Sequence, residues 1–186
     1  MPTNHYAEAI ARELQQSVQY IAHAQTDKLE NAIAEAAHVY VAGAGRSGLM
    51  GRAFAMRLMH LGITCYVVGE TVTPGMREGD LLIIGSGSGE TKSLVSMADK
   101  AKSLNAQVAL VTINAESTLG RKSDVVVTLP GVTKDQSAGS GVETIQPMGS
   151  LYEQTLLLFY DAVILGLMAK RGLSSSAMYG RHANLE

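Results

Sequence analysis

The chain has 186 residues, of which 46% are hydrophobic and 17% charged, with a formal net charge of −2 at pH 7. This length favours a single domain, the apolar content excludes a disordered chain, and the small net charge gives no electrostatic footprint for nucleic acid. A single cysteine, Cys65, excludes a disulfide framework within the chain, and the N-terminus has no signal-peptide pattern, so we expect a cytoplasmic protein.

Two helical patterns precede the first strand pattern. Apolar residues at helical spacing predict an amphipathic helix over about residues 5–25, and a short helix over about 27–37 for which Thr26 is a candidate N-cap. From about residue 38, five short apolar runs alternate with helical segments, and two of them end in glycine-rich loops. Near-continuous apolar strands of this kind predict a parallel sheet covered on both faces. The expected fold is a doubly wound, flavodoxin-like α/β sandwich with five parallel strands between helices.

The C-terminal third contains a loop and then a long helix. Residues 131–149 show no periodicity and predict a loop. The helix from Ser150 to about Lys170 is apolar on more than one side and is interrupted by Asp161, which predicts a buried helix rather than a membrane span. We expect a single domain over residues 1–186, with the N-terminal helices (about 5–37) and the C-terminal helix and tail (about 150–186) used in oligomerisation.

Loop 1, residues 43–48, reads "GAGRSG" between a predicted strand and a predicted helix. It fits the G-x-G-x-x-G pattern of dinucleotide-binding folds. Glu70, at the end of the next strand pattern, stands where such folds carry the acid that binds the ribose. Taken alone, this loop suggests a binding site for NAD.

Loop 2, residues 85–91, reads "GSGSGET" and also joins a predicted strand to a predicted helix. A dinucleotide fold has no need of this second loop, and the chain has no room for a separate substrate domain. Hydroxyls and the free backbone N–H groups at a helix N-terminus bind phosphate without net charge. The loop lacks the G-K-[ST] ending of a nucleotide-binding P-loop. The alternative is that its hydroxyl side chains are helix caps.

Glu153 has two interpretations. The sequence "SLYE", residues 150–153, precedes an apolar run and fits a capping box with Ser150 at the N-cap and Glu153 at N3. A carboxylate beside apolar leucines could instead act as a general base. The residues alone favour the cap and leave the base open.

The two loops together resemble the sugar isomerase (SIS) domain family, which handles phosphosugars, over roughly residues 32–167. The stretches "VVGETVTPGMREGDLLIIGSGSGET", "QPMGSLYEQ" and "RHANLE" narrow the resemblance to the 6-phospho-3-hexuloisomerases. These enzymes interconvert D-arabino-hex-3-ulose 6-phosphate and fructose 6-phosphate in the ribulose monophosphate route of formaldehyde fixation. Other aldose–ketose isomerases of the SIS family and non-catalytic sugar-phosphate sensors stay open as alternatives.

The resemblance implies roles for particular residues. The base is expected to be Glu153, and no metal or redox cofactor is expected. The expected substrate-binding residues are Gly45, Arg46 and Ser47 in loop 1 and Ser86, Ser88, Gly89 and Thr91 in loop 2. Arg46 would neutralise the phosphate or the enediolate intermediate, unless it simply faces solvent.

The resemblance also implies an oligomer, usually a tetramer, with active sites near subunit boundaries. His182, in the polar tail, would then reach a neighbouring subunit's site and assist ring opening or proton handling. The alternative is a solvent-exposed histidine. His60 is a further candidate, or else a core or helix-terminal histidine. The expected partners are a phosphosugar, other copies of the chain and, by function, a hexulose-6-phosphate synthase, with no nucleic acid and no membrane.

Overall fold

The computed structural model describes residues 3–133 and 143–185, which form a five-stranded sheet and seven helices. In chain order these are α1 (Thr3–Val18), α2 (His23–Glu35), β1 (Val39–Gly43), α3 (Gly45–His60), β2 (Cys65–Val67), β3 (Leu81–Gly85), α4 (Lys92–Ser103), β4 (Gln107–Thr112), α5 (Thr118–Lys122), β5 (Val125–Thr128), α6 (Ser150–Arg171) and α7 (Ser175–Tyr179). The predicted loop at 131–149 lies partly outside the described residues.

The sheet is parallel throughout, with strand order β2-β1-β3-β4-β5. This confirms the predicted doubly wound, five-stranded sheet. Alternate strand residues face two apolar layers, one built with α2, α3 and α6 and the other with α4 and α5. All five residues of β3 are buried, because helices cover both faces of the sheet there.

The strand order reverses between β1 and β3, which are neighbours in the centre of the sheet. Gly43 and Gly85, the last residues of these strands, are paired in register. Loop 1 and loop 2 therefore leave the same edge of the sheet side by side. In open α/β sheets the ligand crevice lies at this reversal, outside the carboxyl ends of the strands.

Helix α6 is a core element. Ten of its residues are buried, and Tyr160 stacks on Phe54 of α3 with ring centroids 4.2 Å apart. By length and composition the helix could cross a membrane, but 56% of its most apolar window is buried inside the protein, as expected of a core helix. It ends at Gly172, whose left-handed conformation (φ 63°) closes the C-terminus.

The structure corrects the predicted helices at both ends of the chain. Helix α1 ends at Val18 rather than near residue 25, and α2 begins at His23, with Ala22 as its N-cap. Thr26 is therefore not a cap: it lies inside the first turn, where its hydroxyl donates to the Ala22 carbonyl. The tail contains a short helix, α7, which the sequence analysis did not predict.

Candidate active site

A cavity of about 270 Å³ lies where loop 1 and loop 2 leave the sheet. Its lining includes Ala44 and Ser47 from loop 1, residues 85–88 and Thr91 from loop 2, and Gly149, Tyr152 and Glu153 at the start of α6. The N-termini of α3 and α4 both meet it, so free backbone N–H groups and the positive ends of two helix dipoles converge here. The cavity is therefore suited to an anionic ligand.

The hydroxyls of loop 2 differ in what they bond. Ser86 Oγ accepts from Gly89 N at 3.2 Å, and Ser88 Oγ accepts from Glu90 N at 3.3 Å, so both serines brace their own loop. Thr91 is the N-cap residue of α4, yet its side chain makes no capping hydrogen bond. A hydroxyl that accepts one hydrogen bond still has its own proton to donate. All three side chains can therefore donate to a phosphate oxygen.

Gly89 is required by its surroundings. Its φ is 67°, and an added Cβ would lie 2.0 Å from Ser117 Oγ. The Gly89 carbonyl accepts from Leu119 N at 3.1 Å, and the Glu90 carboxylate accepts from Thr118 N at 2.7 Å. This bond to the Thr118 amide is the main cause of the lowered pKa of Glu90. Helix α5 thus holds loop 2 in place from behind.

Loop 1 turns tightly into α3. Gly45 has φ 57°, a conformation that glycine adopts without strain. An added Cβ on Gly48 would lie 2.6 Å from the Gly43 carbonyl oxygen, so the end of β1 and the first turn of α3 are in close contact. This packing places Ser47 on the cavity wall.

Glu153 is buried, with 5% of its surface exposed, and lies on the cavity wall. Its Oε2 accepts from Arg46 Nη1 at 2.9 Å, and the same nitrogen donates to Ser150 Oγ at 3.0 Å. The N-cap of α6 is Gly149, and no side chain caps this helix. The capping-box alternative is therefore wrong, because both of its members face Arg46 instead of the helix terminus.

Arg46 does not stand alone in solvent, although 47% of its side chain is exposed. It joins loop 1 to the first turn of α6 through the two bonds just described. The resemblance implies that the Arg46 charge neutralises the phosphate or the enediolate. In the structure the guanidinium pairs with Glu153, the candidate base. Residues 46 and 153 are distant in the sequence, so no local pattern could have indicated the pair.

His182 and His60 lie away from Glu153, on a second cavity of about 450 Å³ beside the C-terminal half of α6. Their rings stack with centroids 5.5 Å apart, and Arg181 Nη1 donates to the His60 carbonyl at 3.1 Å. Burial, followed by the charges of Arg57 and His182, lowers the pKa of His60. Within one chain the structure does not bring His182 to the Glu153 cavity.

Tyr152 is a cavity residue that the sequence analysis missed. It is buried, its hydroxyl donates to the Val111 carbonyl at 2.7 Å, and its ring lines the cavity. An added Cβ on Gly87 would lie 3.1 Å from the ring, so the tyrosine packs directly on loop 2. Burial is the main reason that the pKa of Tyr152 is well above its usual value. The sequence feature that could have indicated this role is its position directly before Glu153.

Other candidate groups take no part in this cavity. Among residues 3–133 and 143–185, no group of three or more His, Cys, Asp or Glu side chains could hold a metal ion. Burial raises the pKa of Cys65 to about 12, so this thiol stays protonated. Glu70, the candidate ribose-binding acid, forms an ion pair with Arg52.

A family model described as the SIS domain matches residues 32–158. The chain belongs to the SIS domain family. The match contains both loops and the first turns of α6, which together line the candidate active site.

Several relatives of this SIS domain protein carry one name. A 3-hexulose-6-phosphate isomerase of Bacillus subtilis is 57% identical over 186 residues, which is all of both chains. A 3-hexulose-6-phosphate isomerase of Methylomonas aminofaciens is 37% identical and is aligned over 98% of this chain and 99% of its own. A crystal structure from Methanococcus jannaschii, described as inferring a molecular function of 3-hexulose-6-phosphate isomerase, has a TM-score of 0.82. It is 32% identical and covers 98% of this chain and 99% of its own.

Proposed function

We propose that this protein interconverts D-arabino-hex-3-ulose 6-phosphate and fructose 6-phosphate through a cis-enediolate. The observation that carries the proposal is a buried carboxylate, Glu153, on the wall of a cavity whose other walls are two hydroxyl-bearing loops at helix N-termini. Relatives named 3-hexulose-6-phosphate isomerase, aligned over the full length of both chains, support this choice of substrate within the SIS family.

The reaction needs one base that acts at two neighbouring carbons. Glu153 takes the proton from C2 of the hexulose, and the electron pair forms the C2=C3 double bond of the enediolate. The carboxyl group then returns a proton to C3, while the hydroxyl proton moves from O2 to O3. The carbonyl has then moved from C3 to C2 with no net gain or loss of atoms. A single carboxylate serves both carbons because they lie on one face of the enediolate.

The phosphate provides the anchor at the other end of the substrate. Ser86, Ser88 and Thr91 donate to its oxygens, and Ser47 adds a hydroxyl from loop 1. The backbone N–H group of Gly45 adds to the anion site, whereas that of Gly89 is already donated to Ser86 Oγ. Holding the phosphate fixes C2 and C3 beside the base, which replaces an unfavourable bimolecular encounter by a positioned one.

Arg46 orients the base. Its guanidinium contacts the carboxylate at 2.9 Å and therefore lies close to the place where the enediolate forms. A positive charge there stabilises the negative charge that develops on O2 and O3.

The protein is proposed to work as a homo-oligomer, of which a tetramer is the expected form. The support is an exposed apolar surface on the outer faces of α3 and α6. This apolar face comprises Leu49 and Met56 on α3 and Leu158 and Leu165 on α6, with exposures from 41% to 65%. Such a surface is normally buried between subunits. A neighbouring subunit would then supply His182, which in its own chain lies on the second cavity.

The proposed setting is the cytoplasm and the ribulose monophosphate route. A hexulose-6-phosphate synthase would supply the substrate there, as a functional partner. Physical contact between the two enzymes is not required by the chemistry.

Isotope exchange tests this function. Incubation with fructose 6-phosphate in heavy water, followed by proton NMR, is expected to give loss of the C3 hydrogen signal, because C3 belongs to the enediolate. Glu153→Gln is expected to abolish the exchange with the fold intact, while Glu116→Gln, at an exposed carboxylate on the same chain, leaves it unchanged. Exchange at C1 instead would indicate an aldose–ketose isomerase. Full C3 exchange in Glu153→Gln would remove Glu153 from the mechanism.

A further inference from the structure

One carboxylate of α1 holds the segment that leads into α6. Glu13 Oε1 accepts from Ile145 N at 2.8 Å. Its Oε2 accepts from Thr144 Oγ1 at 2.6 Å and from Gln146 Nε2 at 2.9 Å. Three donors, on three consecutive residues, thus converge on one side chain. We call this set of bonds the Glu13 tether.

The donors are matched to a charged acceptor. An ionised carboxylate accepts on both oxygens and donates nothing, and hydrogen bonds to a charged group are stronger than neutral ones. Burial raises the pKa of Glu13, but the bonds from Thr144, Ile145 and Gln146 outweigh it, so that the pKa lies below its usual value. The tether is therefore complete at neutral pH.

The tethered segment continues directly into the candidate active site. Gly149, three residues after Gln146, lines the cavity and is the N-cap of α6. Its carbonyl accepts from Glu153 N at 3.0 Å, so that Gly149 and the base belong to the same helical turn. Residues 147–149 between the tether and α6 include Met148 at φ 57°, a conformation that is unfavourable outside glycine. A fixed point at residues 144–146 restrains this turn.

The body of α6 does not need the tether. Leu156, Phe159 and Val163 are buried in the core and hold the helix against the sheet and its neighbours. Loss of the tether is therefore felt in residues 144–149 rather than along the whole helix. The last residue of that segment, Gly149, lines the cavity.

We propose that Glu13 is a positioning residue for the isomerase reaction: through Thr144, Ile145 and Gln146 it fixes the cavity wall at Gly149 and the first turn of α6 that carries Glu153. This inference rests on the proposed function. Glu13 itself acts through the segment it holds and is not a catalytic residue.

The first experiment compares Glu13→Ala with Glu8→Ala, which removes an exposed carboxylate from the same helix. Three quantities are measured: amide hydrogen exchange at Ile145, affinity for fructose 6-phosphate by calorimetry, and kcat and KM. Glu13→Ala is expected to speed exchange at Ile145 and to weaken fructose 6-phosphate affinity and kcat/KM by roughly fivefold to tenfold, because the cavity wall and the base lose part of their alignment. Glu8→Ala is expected to match the wild type in all three.

A second variant approaches the tether from the other side. Thr144→Val keeps the carboxylate and removes one donor to it, together with the bond that Thr144 Oγ1 accepts from Gln146 N at 3.0 Å. It covers the case in which Glu13→Ala does not fold. It is expected to reproduce part of the loss, and the double variant is expected to lose less than the sum of the two, because both act on one network. Independent, additive effects on kcat/KM would overturn the proposal.

Two further outcomes are decisive. Faster exchange at Ile145 with unchanged affinity and unchanged kcat/KM would reduce Glu13 to a structural brace and overturn the positioning role. A wild-type protein that does not bind fructose 6-phosphate would overturn the proposed function and, with it, this role. The first outcome leaves wild-type binding intact, so the two failures are distinguishable.

Discussion

A single nitrogen of Arg46 contacts both the Glu153 carboxylate and the Ser150 hydroxyl, at 2.9 and 3.0 Å. Two side chains that a local sequence pattern assigns to a helix cap thereby contact Arg46 instead. The Glu153 carboxylate, the candidate base, is buried while Arg46 is half exposed, at 7% and 47% of the side chain. Removal of the Arg46 side chain would leave the buried Glu153 carboxylate without its ion-pair partner and without the contact that orients it.

Arg46→Ala is therefore expected to lower kcat by roughly tenfold to a hundredfold, as is typical when a reacting group loses its alignment. The rate of C3 hydrogen exchange in fructose 6-phosphate measures the effect. Arg52→Ala, on the same helix and paired with Glu70 rather than with Glu153, is the matched control and is expected to retain the wild-type rate. Equal rates in both variants would show that the pair with Glu153 has no part in catalysis.

At the scale of elements, the candidate anion site is made by two strand–loop–helix units side by side. Pairing of Gly43 with Gly85 brings the two loops to one edge of the sheet, and α5 supports loop 2 from behind. Ser86 and Ser88 have a bracing role in addition to facing the cavity, whereas Thr91 has no capping bond. A substitution at Thr91 therefore tests ligand binding without removing a bond that stabilises the loop, which a substitution at either serine would do.

Thr91→Val keeps the shape of the side chain and removes only its hydroxyl. Affinity for fructose 6-phosphate, measured by calorimetry, is expected to fall by roughly tenfold to a hundredfold, the cost of one hydrogen bond to a charged group. The melting temperature is expected to stay at the wild-type value because no capping bond is lost. Ser93→Ala, at an exposed hydroxyl on the same helix, serves as the control. Undiminished affinity in Thr91→Val would place the phosphate elsewhere.

At the scale of the whole molecule, the proposed assembly rests on the outer faces of α3 and α6 and on the place of His182. The apolar face lies on the two helices that pack on each other through Phe54 and Tyr160. His182 lies on a cavity beside α6 and away from Glu153 in the same chain. The proposed catalytic role of His182 therefore depends on the proposed oligomer.

Leu165→Glu introduces a charge into the apolar face, at a leucine that is 65% exposed in the single chain. Light scattering is expected to show a smaller particle than the wild type, because the free energy of burying a charge between subunits exceeds the stabilisation from the apolar contact. Activity is expected to fall with the particle size if His182 acts across a subunit boundary. Val72→Glu, at a valine that is 86% exposed outside this face, is expected to keep the wild-type mass. An unchanged mass in Leu165→Glu would exclude the apolar face as the interface.

The sequence by itself determined the five strands, the parallel, doubly wound character of their sheet, and the two glycine-rich loops, because these follow from local periodicity and glycine placement. The order of the strands came from the structure. It did not determine where α2 begins. The helix starts directly after Ala22, and Thr26, a residue type that favours the N-cap, lies inside its first turn. Only the tertiary structure decided that Glu153 faces Arg46 instead of capping α6, and that Glu13 holds residues 144–146. These contacts join residues more than a hundred positions apart, so no window of sequence contains both partners, and only the folded sheet and its helices bring them together.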